Sequence, residues 1–141
     1  MNDDNIIEFP GGSEEDDGLS RVRAMMAEVA EYEASKISKE EYRDAVETLI
    51  PHALGDTSGS RAAAGVLLSV WNEHEFHLDI SDLNVLDIKL YYAAIKVIRG
   101  RVEQSSRPDS LGIENCDEIF GRIWDLWENL KIVNRAKARD L

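Results

Sequence analysis

The sequence predicts an all-α fold, a single bundle of about five helices behind a disordered acidic N-terminal tail. Three observations predict it. Apolar residues recur at spacings of three and four along most of the chain, capping residues stand where those runs begin, and no alternating stretch long enough for a strand appears. At 141 residues, 43% hydrophobic and 31% charged, the chain has the length of one domain and the composition of a globular protein. No internal repeat divides it.

Residues 1–18 read as the tail, and residues 19–141 as the helical domain. Residues 1–20 hold seven acids and no Lys or Arg. The other 121 residues carry 21 acids and 16 bases, so more than half of the net charge of −12 belongs to the tail. Within it, Ile6, Ile7 and Phe9 form a short apolar cluster before Pro10, of the kind that pairs with a sheet edge or fills a groove on a partner.

Ser20 caps a first helix over 21–35, striped by Val22, Met25, Met26, Val29 and Tyr32. Ser38 and Glu41 form a capping box for the second, whose apolar side is Tyr42, Val46, Leu49 and Ile50. Pro51 lacks an amide hydrogen and should end or kink that helix. Residues 55–60 are a loop by composition, with Asp56, Thr57 and Ser58 placed to accept from the first amides of a third helix over 60–73. Its broad apolar face (Ala64, Val66, Leu67, Leu68, Val70, Trp71) makes it the expected central helix.

A polar connection, 72–79, and a single helical turn, 80–86, lead to a fourth helix over 88–103 capped by Asp87. Leu90, Tyr91, Ala94, Ile95, Ile98 and Val102 keep its period, and Lys96, Arg99 and Arg101 complement the dipole at its C-terminal half. After a loop over 105–112, Asn115 and Glu118 read as a capping pair for a fifth helix over 116–136. That helix has more apolar surface than one neighbour can cover. If Ile119, Ile123 and Leu130 face the bundle, Phe120, Trp124 and Trp127 stay partly exposed, as an aromatic anchor for a partner or a second copy.

No catalytic set is found. Gly55-Asp56-Thr57-Ser58-Gly59 has the look of an aspartic-protease loop, but that chemistry needs two such aspartates on strand-supported turns. The amides at the start of the third helix, with Ser58, Ser60 and Arg61, are a candidate anion site. His74 and His77 lie one residue too close for a His-Glu-x-x-His zinc helix, and a third ligand is lacking, so no metal is expected. No cofactor-binding motif is present. Cys116 is the one cysteine and excludes an internal disulfide, and no basic start of a secretory signal precedes the domain, so a reducing cytoplasm is expected. No apolar run is long enough for a membrane span. The helical part lacks a basic face, which disfavours direct nucleic-acid binding.

Between residues 55 and 127 the chain resembles a family of small proteins encoded by bacterial phages, plasmids and integrative elements. The residues that carry the resemblance are Gly55-Asp56-Thr57 with Ser60-Arg61, Val66-Leu67-Leu68 through Trp71-Asn72, Asp79-Ile80-Ser81-Asp82-Leu83 with Asp87, and Pro108-Asp109-Ser110-Leu111-Gly112. The family has no established activity. The resemblance implies a setting, that of an accessory protein of a mobile element.

These readings lead to the expectation of a non-enzymatic protein that binds a host or phage protein, with interference in a host defence system as its use. A nucleic-acid mimic, a homodimer, and a small hydrolase or ligand-binding protein using His74 and His77 are the alternatives.

Overall fold

The computed structural model describes residues 14–139, with side chains from residue 16. Two units are distinguished, Met1–Lys36 and Ile37–Leu141. The first contributes one described helix, α1 (Glu14–Ser35). It starts six residues before the expected cap at Ser20, taking in residues 14–18 that were assigned to the tail. Four acids in its opening turn favour the earlier start, because carboxylates offset the positive end of the helix dipole. Val22, Met25, Met26, Val29 and Tyr32 form the expected stripe, Leu19 extends it by one turn, and all six are exposed. Residues 1–13, with Ile6, Ile7 and Phe9, lie outside the described residues.

The second unit is a helical bundle. Its helices are α2 (Lys39–Ala53), α3 (Ser58–Trp71), α4 (Ile88–Glu103), α5 (Cys116–Leu126) and α6 (Ile132–Arg139). Short 3-10 turns lie at Ile80–Val85, Pro108–Ser110 and Glu128–Leu130. Among the described residues there is no strand, only an isolated bridge between Phe76 and Lys131.

Side-chain oxygens start three of these helices. Ser38 Oγ accepts from the Glu41 amide at 3.0 Å, Thr57 Oγ1 from Ser60 at 3.0 Å, and Asp87 Oδ1 from Leu90 at 2.9 Å. The chain passes through Pro51 without leaving α2, which runs two residues further and closes with the Leu54 amide on the Ile50 carbonyl at 3.2 Å. Pro51 removes one hydrogen bond close to the helix end, where the loss is tolerated.

The expected capping pair at α5 is replaced by another device. Asn115 takes a left-handed conformation, φ 58°, and its side chain makes no capping bond. Nor is the fifth helix continuous to residue 136. It ends at Leu126, turns through Glu128–Leu130, and restarts as α6. Lys131 is extended there (φ −59°, ψ 140°), and the Ile132 amide donates to the Glu75 carbonyl at 2.9 Å. Pairing with the 75–76 segment outcompetes the helical register.

As expected, α3 is the central helix. Ala62 through Leu68 are all buried, and α2 and α4 both pack on it. α2 and α4 also pack closely on each other at Tyr42 and Gly100. Any Cβ on Gly100 would overlap the Tyr42 ring. The phenol is fully buried, donates to the Ser106 carbonyl at 2.8 Å, and is held protonated well above its usual range by burial.

An exposed mid-helix Gly→Ala substitution ordinarily stabilises by about 1 kcal/mol. Here the sign reverses. Gly100→Ala should cost about 1–3 kcal/mol through overpacking against Tyr42, seen as a lower urea midpoint at unchanged m-value.

Candidate functional site

The aromatic residues of α5 are drawn inward. Phe120 is fully buried, which corrects the expectation that it stays partly exposed. Its ring lies 5.4 Å from that of Trp71 between centroids. Trp124 meets Trp71 edge-on at 5.9 Å and Phe76 edge-on at 5.0 Å, while Lys131 Nζ sits 5.0 Å from the Trp124 ring centre. The Trp127 indole donates to the Ala53 carbonyl at 2.8 Å, capping an end-group of α2. Trp124 and Trp127 are half-buried, and both are occupied with the bundle itself. The missing partner for these rings was Phe76. The sequence places it among polar residues, and it packs into the aromatic cluster at 1% exposure.

The proposed anion site is also occupied by the protein. Ser60 is buried, its amide and hydroxyl both engaged by Thr57 Oγ1 at 3.0 Å. Arg61 turns its guanidinium to Asp82, at 3.2 and 3.3 Å, with Asp79 at 4.0 Å. An anion there would compete with two carboxylates. Ser58 is exposed in the first turn of α3. Arg61, Asp79 and Asp82 thus fasten α3 to the 79–82 segment, and Arg135 joins them through Asp79 at 2.7 Å.

His74 and His77 are both exposed on the 72–79 connection, whose buried residue is Phe76. Among the described residues, no group of three or more His, Cys, Asp and Glu is arranged to hold a metal ion. The Cys116 thiol is buried, and its pKa is raised by burial first and then by the charges of Asp109 and Asp117. It is a weak nucleophile in that setting.

A large apolar surface of this unit lies on α4 and the turn before it. α4 has two apolar faces. Leu90, Ala93, Ala94 and Val97 are buried against the bundle. Ile88, Tyr91, Ile95, Ile98 and Val102 form the other, at spacings of three and four. Ile88 is 75% exposed, Val102 65%, and neighbouring Tyr92 60%. Ile80 of the preceding turn adds a side chain that is 77% exposed.

Between this face and α3 runs an open groove of about 500 Å³. Ser69 and Val70 of α3 and Glu73 just beyond it form one wall, with Leu78, Ile80 and Leu83 at its end. Tyr91, Ile95, Ile98, Arg101 and Val102 form the opposite wall. Arg101 approaches Glu73 at 3.6 Å, so the only charges on the lining are paired with each other. In the sequence the two faces of α4 run together as one stripe. The usable signal was quantity: Ile88, Leu90, Tyr91, Tyr92, Ile95, Val97, Ile98 and Val102 are too many apolar residues for a single buried face.

The model of a family of unknown function, DUF7673, matches residues 43–128, and the chain belongs to that family. No curated protein and no solved structure matches it. The matched segment runs from Arg43 in α2 to the turn after α5 and includes every residue that lines the groove; α1 and α6 fall outside it. Among the described residues, no helix is long and apolar enough to cross a membrane.

Since Phe120 is sealed against Trp71, Phe120→Ala should behave as a core truncation and cost about 3–5 kcal/mol, measured by urea unfolding. A loss under 1 kcal/mol would return Phe120 to the surface.

Proposed function

We propose that this DUF7673 member acts without catalysis, by binding another protein in the groove between α3 and α4. The observation that carries the proposal is the continuous apolar seam on α4. Side chains as large as Ile88, Tyr91 and Val102 stand in solvent beside an apolar groove, on a seam at the spacing that receives a helix. A folded domain that keeps such a seam uncovered forgoes burial worth about 25 cal/mol for each Å². Contiguous exposure of this kind marks interaction sites.

In this reading Ile95 and Ile98 form the floor and Tyr91 the edge. The half-buried position of Ile95 and Ile98 restricts them before a partner arrives, which lowers the entropy cost of docking. The resemblance over residues 55–127 supports the wider setting we propose: a cytoplasmic accessory protein of a phage or other mobile element, acting on a host or phage protein and interfering with a host defence system.

The test is capture of tagged chain from expressing cells, comparing the native protein with Ile95→Glu and with Ile88→Glu. Both positions are accessible, so the helical circular dichroism should be unchanged. At least one protein should be retained by the native chain and lost from both variants, each substitution costing about 2 kcal/mol or more of binding. Equal recovery of every captured protein with all three chains overturns the proposal.

A further inference from the structure

The apolar seam on α4 and the stripe on α1 are alike in length, the two helices that carry them are opposite in net charge, and we infer that the groove of one copy receives α1 from a second copy of this chain. The inference rests on the reading of the groove as a protein-docking surface, and names its occupant. On α1, Leu19, Val22, Met25, Val29 and Tyr32 span fourteen residues, a helical rise of about 20 Å. On α4, Ile88, Tyr91, Ile95, Ile98 and Val102 span fifteen, about 21 Å. Both runs alternate steps of three and four through their common part, the pattern that lets two helices interdigitate along a seam.

Charge selects between pairings. α1 contains seven acids against Arg21 and Arg23, whereas α4 contains Lys89, Lys96, Arg99 and Arg101 against Glu103. Two α1 helices side by side would bring acidic flanks together, and two α4 helices basic ones. α1 against α4 sets opposite signs along the rims, so charge favours the unlike pair over either like pair. Every chain carries one donor helix and one acceptor groove, and reciprocal docking closes a two-fold dimer with no surface left to propagate.

Sedimentation equilibrium on the full chain tests this. The native protein should be a dimer, while Val22→Glu/Val29→Glu and Ile95→Glu should each weaken self-association by roughly thirtyfold or more. All three substituted residues are exposed or half-exposed, and unchanged helical circular dichroism checks that the fold persists. The decisive measurement mixes the two variants. One retains an intact groove and the other an intact α1, so they should form a heterodimer at concentrations where each alone is monomeric. Pairing of α1 with α1, or of α4 with α4, gives no heterodimer, and that result overturns the inference. So does a native chain that is monomeric throughout. If a different protein is still captured through Ile95 in that case, the docking surface stands and only its occupant changes.

Discussion

The close approach of α2 to α4 at Gly100 is the constraint on which the second unit depends. A ring as large as Tyr42 fits between the two helices because the opposing position has no side chain, and its hydroxyl is satisfied by the Ser106 carbonyl. That contact fixes the rotation of α4 about its own axis. With Gly100, Val97, Ala94, Ala93 and Leu90 turned inward, Ile88, Tyr91 and Val102 have only the outward direction left. The exposed seam is therefore a consequence of the tightest packing in the core.

A second organising element is the aromatic cluster of Trp71, Phe76, Phe120 and Trp124. It gathers the end of α3, the 72–79 connection and α5 around rings that meet at tilted or edge-on angles. The break between α5 and α6 belongs to the same construction. Seating Phe76 brings the Glu75 carbonyl against the Ile132 amide, and the chain gives up continuous helix to make that bond. The apolar groove and the aromatic cluster thus flank α3 on different neighbours, and the core helix separates them.

Much of this architecture was legible in the residue order. Ser38, Thr57 and Asp87 stand where their side chains satisfy the first amides of α2, α3 and α4, and local chemistry of that kind needs no knowledge of the fold. The unbroken apolar stretch from Ala62 to Leu68 marked the central helix for the same reason. What could not be read were choices decided by distant partners. Phe76 looked like a loop residue because its partners, Trp124 and the Lys131 bridge, lie about fifty residues further on. Asn115 looked like a cap, yet it adopts the left-handed turn that the entry to α5 requires. The candidate site suffered most. Phe120 and the groove exchanged roles, because periodicity shows that a residue lies on an apolar face but not which of two faces the core takes.

The Trp127 indole ends on the carbonyl of Ala53, across 74 positions of sequence. That carbonyl is one of the acceptors a helix leaves unfilled at its own terminus, and α2 borrows the donor from the far side of the chain. Completion of α2 is in this way delayed until the segment after α5 has been synthesised and seated. A nascent chain halted before Trp127 holds a second helix whose last turn has lost that donor, and the two ends of this unit mature together.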